Sequence, residues 1–145
     1  MSQGSQTVAG RCHCGTVRFE AVLSDGLATA RRCTCSYCRM RGAVVVSAVM
    51  HGVTILEGAD SLTSYRFNTR VAEHFFCSRC GIYTHHQRRS NPNEYGVNVA
   101  CLEGVSPFDF AEVLVVDGVH HPSDTGGRSR QIGTLRFVKL DEEKT

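Results

Sequence analysis

The spacing of the cysteines constrains this chain more than any other feature. Seven of the eight fall into three tight groups, Cys12-His-Cys14-Gly15, Cys33-Thr-Cys35-Ser-Tyr-Cys38 and Cys77-Ser-Arg-Cys80-Gly81, while Cys101 stands alone. At about 5.5% of 145 residues, cysteine exceeds ordinary usage yet stays below the roughly 8–10% that marks a small disulfide scaffold. The opening residues, Met1 to Gly10, lack a basic start followed by an apolar run, and the last five match no retention or prenylation signal, which predicts a cytoplasmic, reducing setting. Thiols that stay reduced and cluster this closely are better explained by metal than by crosslinks, because thiolate is a ligand that zinc prefers.

Geometry sharpens that reading. Two thiolates on one tetrahedral zinc sit roughly 3.8 Å apart, given a Zn–S distance near 2.3 Å, whereas residues i and i+2 of a straight strand are roughly 6.7 Å apart. Each Cys-x-Cys must therefore bend. Gly15 permits the bend after the first pair, and Gly81 can take the positive φ that turns backbone amides toward the sulfurs of a Cys-x-x-Cys knuckle. Seven clustered cysteines cannot close two four-cysteine sites. Cys33, Cys35 and Cys38 lie within six residues and form a natural three-thiolate set, which leaves Cys12, Cys14, Cys77 and Cys80 to close a four-thiolate site. Closed sites are structural; three protein ligands and an open position are how zinc is held for chemistry.

The rest of the chain reads as short strands punctuated by 14 glycines. Thr16 to Val22 alternates, with Val17, Phe19 and Ala21 on one face and Thr16, Arg18 and Glu20 on the other. Further strand candidates are Ala43 to Val49, Val53 to Leu56, Leu62 to Phe67, Val71 to Phe76, Gly81 to His85, Tyr95 to Val99 and Thr134 to Leu140. A turn of helix fits Ser106 to Phe110, and Asp117 to Arg130 reads as a surface loop. The expectation is a mainly β, single zinc-stapled domain of several short antiparallel sheets over residues 8–140, with flexible termini at 1–7 and 141–145. Its longest apolar stretch, Ala43 to Met50, is too short to span a bilayer.

Charge narrows the partners. The formal net charge of +2 treats every thiol as neutral, and seven thiolates holding two zinc ions shift it by −3, to about −1. With no basic stripe or tail, a nucleic-acid surface is not indicated.

Cys12-x-Cys-Gly followed by Val17-Arg18-Phe19, Cys33-x-Cys-x-x-Cys, Phe76-Cys-x-x-Cys-Gly and the stretch Tyr95 to Pro107 together resemble the glutathione-dependent formaldehyde-activating family. The resemblance covers about residues 8 to 140. It implies a mostly β, zinc-stapled fold similar to that of methionine-R-sulfoxide reductases. It also implies a structural zinc on Cys12, Cys14, Cys77 and Cys80 and a catalytic one on Cys33, Cys35 and Cys38, the same partition that ligand counting suggests. The implied reaction is addition of the glutathione thiol to formaldehyde, giving S-(hydroxymethyl)glutathione, so the partners are a small-molecule thiol and an aldehyde, and the activity is that of a carbon–sulfur lyase. A thiol that titrates near pKa 8.5 when free would be held as thiolate at the open position, with the three cysteines acting as ligands and not as nucleophiles.

Glutathione is anionic, so cations beside the metal are sought. Arg31, Arg32, Arg39 and Arg41 flank the three-cysteine group, with Arg31, Arg32 and Arg39 taken as candidate glutathione contacts and Arg88 and Arg89 as weaker ones; offsetting the site's charge is the competing role. His74, His85 and His86 could serve a metal or move a proton, and alternation sends His85 and His86 to opposite faces. His13, His51, His120 and His121 rank below them. Cys101 reads as a buried small hydrophobe ahead of a fourth ligand to the second zinc, and Tyr37 as an aromatic packed on the metal knot ahead of one lining the substrate cavity. The segment His120 to Gly127 is either a lid over the open site or an inert loop. Two other readings stand beside the enzyme: a non-catalytic zinc-stabilised binding module like centromere protein V, which shares this cysteine pattern, and redox chemistry at Cys101. A short exposed β surface is compatible with a homodimer.

Overall fold

The computed structural model describes residues 6–67, 72–88, 93–120 and 130–140. Among them ten strands and one short helix occur. Strands β1 (Gln6–Arg11) and β2 (Arg18–Leu23) form an antiparallel hairpin, followed by β3 (Arg31–Cys33), the helix α1 (Ser36–Arg41) and the long β4 (Val45–Glu57). Then come β5 (Leu62–Tyr65), β6 (Glu73–Cys77), β7 (Tyr83–Gln87), β8 (Tyr95–Asn98), β9 (Glu112–Val116) and β10 (Gln131–Arg136).

The expected mainly β architecture is present, but the strands join in one hydrogen-bonded network in place of several separate sheets. Its order is β10-β9-β3-β4-β8-β7-β6-β5, with β2 also paired to β4 and β1 to β2. The two predicted strands at 43–49 and 53–56 are a single β4, and this merger links the sheet. Its first residues pair with β8 from Val45↔Asn98 to Ala48↔Tyr95, while its later ones pair with β2 from Ala48↔Leu23 to Glu57↔Arg18. His51 takes φ 61° and the β2 register shifts between Ala21 and Leu23, so the strand bends and changes partner. One pairing is parallel, β3 with β9, and it seats Cys33 beside Val116.

Alternation places the core as the pattern of residues 16–22 requires. Val17, Phe19, Ala21 and Leu23 are fully buried and Arg18 and Glu20 exposed, and Phe19, Ala21 and Leu23 join Val46, Ala48, Val97, Val99 and Leu102 in the main core. A second, smaller cluster joins Val17 to Cys12 and Cys77, with Leu62 and Cys80 against it. The predicted helical turn near 106–110 is a 3₁₀ turn, Pro107–Asp109, started by a capping box between Ser106 and Asp109. No helix among the described residues is long and apolar enough to cross a membrane.

Candidate metal centres

The two bends that the cysteine spacing demands are built on glycine. After Cys12 the chain turns tightly, with the Gly15 amide donating to the Cys12 carbonyl at 3.1 Å and Gly15 at φ 79°. After Cys77 it does so again, the Gly81 amide donating to the Cys77 carbonyl at 2.7 Å with Gly81 at φ 80°. The β1–β2 turn thus faces the β6–β7 turn. Cys12 Sγ lies 3.6 Å from Cys14 Sγ, and Cys14 Sγ lies 3.8 Å from Cys77 Sγ, close to the edge of a tetrahedron of zinc-bound sulfurs. Cys12, Cys14, Cys77 and Cys80 have all four sulfurs within 4.8 Å of one another.

The second group is Cys33, Cys35 and Cys38, whose three sulfurs also lie within 4.8 Å. Strand β3 ends on Cys33, and α1 starts at once, with Cys35 as its N-cap accepting from the Cys38 amide at 3.3 Å. Six helical residues give no readable amphipathic period, which is why this helix escapes sequence reading. Gly42, at φ 73°, ends it by donating to the Cys38 carbonyl.

Both groups suit thiolate, and so a metal. The amides of Val17 and Arg79 donate to Cys12 and Cys77 at 3.3 and 3.4 Å, and the Cys35 amide to Cys33 at 3.5 Å. The hydroxyl and amide of Thr16 pull the Cys14 thiol down to about 6. In the three-sulfur group the thiols of Cys33 and Cys38 draw Cys35 far down while their own pKa values rise. A divalent ion held there would displace the thiol protons. The donor sets, all sulfur and each gathered within 4.8 Å, fit zinc in both places.

Arg41 is the cation that reaches the three-sulfur group. Its Nη2 donates to Cys38 Sγ at 3.4 Å and its Nη1 to His74 Nδ1 at 3.0 Å, and its guanidinium carbon lies 3.6 Å from the centre of the Tyr83 ring. The arginines singled out from sequence lie differently. Arg31 donates to the Thr29 carbonyl and to Ser47 Oγ, and burial with Arg88 alongside lowers its pKa to about 10. Arg88 meets the same Ser47 and forms an ion pair with Glu94. Arg32 is half-buried, Arg39 is exposed on α1, and Arg89 is outside the described residues.

The histidines separate as alternation requires. His85 turns into the core, stacked on Phe75 at 4.6 Å, and burial alone lowers it to about 4. His86 turns the other way, bonded through Nδ1 to the Tyr83 hydroxyl at 2.6 Å and stacked on His74 at 4.9 Å. His74 is lowered to about 4 by burial and by Arg41. Tyr37 packs edge-on to His74 at 4.6 Å and against Tyr65 and Phe67, an aromatic wall beside the sulfurs. His13, His51 and His120 are exposed, and His121 is outside the described residues. Cys101 joins neither sulfur group: it is buried in the core with its thiol donating to the Tyr83 carbonyl at 3.4 Å. A cavity of about 590 Å³ takes its lining from both neighbourhoods, with Tyr37 and Arg41 from α1 and Gly81 and Ile82 from the turn after Cys80.

Gly118 is the site residue that sequence reading misses. A Cβ built there would overlap Cys33 Sγ and crowd the Cys35 amide and Cβ, so the bare backbone at 118 is packed directly on the three-sulfur group. Thr34 Oγ1 accepts the Gly118 amide at 3.0 Å, and Asp117 accepts the amides of Val119 and His120 and holds His120 Nδ1 at 3.0 Å. The start of the predicted surface loop is therefore a wall of the site. Most of the candidate lid, residues 121–127, lies outside the described residues. The Asp-Gly dipeptide was visible, but it reads as an ordinary turn signal until β3–β9 pairing brings it to Cys33.

A bent, mainly β sheet carrying one four-cysteine and one three-cysteine group, each able to hold a metal ion, defines a candidate metal-binding protein. Residues 7–113 match the family model for the glutathione-dependent formaldehyde-activating enzyme, and the chain belongs to that family. It is similar to a Rhodobacter sphaeroides protein of known crystal structure, with 59% sequence identity, a TM-score of 0.71, and coverage of 72% of this chain and 96% of that one.

Proposed function

We propose that the chain is a zinc-dependent carbon–sulfur lyase or synthase that joins a thiol, glutathione in the first instance, to formaldehyde, with the three-sulfur group as its catalytic centre. The observation that carries this reading is the ligand count. Cys33, Cys35 and Cys38 converge with no fourth His, Cys, Asp or Glu among the described residues, whereas the other group has four. When bound, zinc would supply a position at which an incoming thiol is held as thiolate and polarised for attack on a small carbonyl.

The chain's own residues do the rest. Cys33, Cys35 and Cys38 act as ligands. Tyr37, with Tyr65 and Phe67 packed on it, walls one flank, and the Gly118 backbone closes another. Arg32 and Arg39, beside α1, are the remaining candidates for the carboxylates of glutathione, since Arg31 is engaged by Ser47. Cys12, Cys14, Cys77 and Cys80 hold the structural ion. A homodimer, if formed, would use the open edge of β10, where all six residues are exposed.

The test is carbon-13 exchange NMR of labelled formaldehyde with glutathione in the presence of catalytic, zinc-replete protein and of its Cys35→Ser variant. Acceleration present in the first and absent in the second is the expected outcome. No acceleration by protein carrying two zinc ions would sink the enzyme reading in favour of a binding module.

A further inference from the structure

Arg41 has a feature that its neighbours in sequence lack. Its partners are a sulfur, an imidazole nitrogen and two aromatic faces, with no carboxylate among the described residues. A guanidinium is charged at every pH a protein survives, and here its one anionic neighbour is the three-sulfur group. Its orientation is fixed from three sides. Tyr83 lies flat beneath it at 3.6 Å, Tyr37 lies at 4.9 Å, and His74 Nδ1 takes Nη1. Arginine can only donate, so His74 Nδ1 must be the unprotonated nitrogen and the ring's proton must sit on Nε2. His74 in turn is clamped between Phe67 at 5.8 Å and His86 at 4.9 Å. Nε of Arg41 is buried with no acceptor, a cost the packing tolerates while Nη2 stays on the sulfur.

We propose that Arg41 is the positioning residue of the three-sulfur centre, a fixed cation, aimed by His74 and Tyr83, that offsets the charge of the bound metal–thiolate group through Cys38. A divalent ion on three thiolates carries a net charge of −1, and a fourth thiolate brings it to −2. In a half-enclosed site that second charge is costly unless a cation is already in place. Arg41 therefore favours a centre that accepts an anionic thiol in its fourth position. This role needs only the metal, so it goes beyond the reading of the site as a lyase.

Cobalt(II) loaded into the full chain reports on it without turnover, because sulfur-to-cobalt charge-transfer bands follow the electron density on the ligating sulfurs. Wild-type protein, Arg41→Met, Arg41→Lys and His74→Phe would be titrated with cobalt under chelator competition, then with 2-mercaptoethanol. Arg41→Met is expected to weaken the three-sulfur equivalent about 10- to 100-fold, shift its charge-transfer bands and weaken thiol binding, leaving the four-sulfur equivalent unchanged. Arg41→Lys should recover the affinity in part, and His74→Phe, which keeps the ring stack but removes the acceptor, should shift the same bands by less. Unchanged bands and affinities in Arg41→Met would overturn the proposal, as would equal weakening of both equivalents, which would make Arg41 a packing residue. If Arg41→Met does not fold, His74→Phe decides, and a spectrum identical to wild type overturns it. Silence of the wild-type protein in the formaldehyde–glutathione exchange would remove the enzyme reading without touching this one.

Discussion

At the scale of single residues, one side chain and one missing side chain set testable limits. Gly118→Ala drives a methyl group into Cys33 Sγ and the Cys35 backbone. The expected result is a three-sulfur site whose metal affinity falls by about tenfold, with the four-sulfur site intact, as read by two-step metal titration. His85 gives a pH prediction. Its folded pKa of about 4 lies below the ordinary 6.5, so the unfolded chain binds the extra proton first. Stability is unaffected above pH 6.5, falls as pH drops from there, and levels off below pH 4, with a total loss of about 3 kcal/mol from this group. His85→Phe should therefore have a shallower acid limb in denaturant unfolding than wild type; equal slopes would refute the assignment. Acid loss of metal, common to both proteins, cancels in the comparison.

At the scale of elements, what the sequence revealed and what it hid follow from contact range. The hairpin of β1 and β2 carries its face in its own alternation, so Val17, Phe19 and Ala21 could be assigned to the core without knowledge of their partners. The two sulfur groups were legible because ligand spacing is a local property. β3 and α1 were not, since a three-residue strand and a six-residue helix carry no period, and most of β3's pairing comes from β9, in parallel and from more than 80 residues away. The choice of Arg41 among four nearby arginines was hidden for the same reason, as Tyr83 and His74 come from the far side of the sheet. The helix also sets a prediction. Gly42→Ala forces an L residue into φ 73° at the C-cap and should cost about 1 kcal/mol in thermal or denaturant unfolding. A neutral effect would mean that the helix end relaxes freely.

At the scale of the whole molecule, the two sulfur groups differ in what their loss would do. The four-sulfur group ties the β1–β2 turn to the β6–β7 turn, and Val17, Leu62 and the sulfurs themselves form the small core there. The three-sulfur group sits between β3 and α1, neighbours in sequence. A chelator should thus remove activity and metal from Cys33, Cys35 and Cys38 before the fold melts, and unfold the chain only when the second ion leaves. Parallel readings of released metal, circular dichroism and thiol reactivity check this. Seven thiols should become reactive in groups of three and four, with Cys101 last, since burial raises it to about 12. Simultaneous loss of both ions and of structure would contradict it.

The contact of Cys14 with Cys77 brings together residues 63 positions apart, and a metal ion held there would join them through bonds that can dissociate. A disulfide at that place would persist until reduced, but an ion is exchanged with its surroundings, and mass action couples the folded population to free metal concentration. The lifetime of this protein in a cell would then track the supply of metal: in scarcity the chain opens at the joint between its opening hairpin and its central strands, and proteases meet an unfolded substrate. An ion that completed the architecture in this way would make the protein's abundance a gauge of how much metal is present.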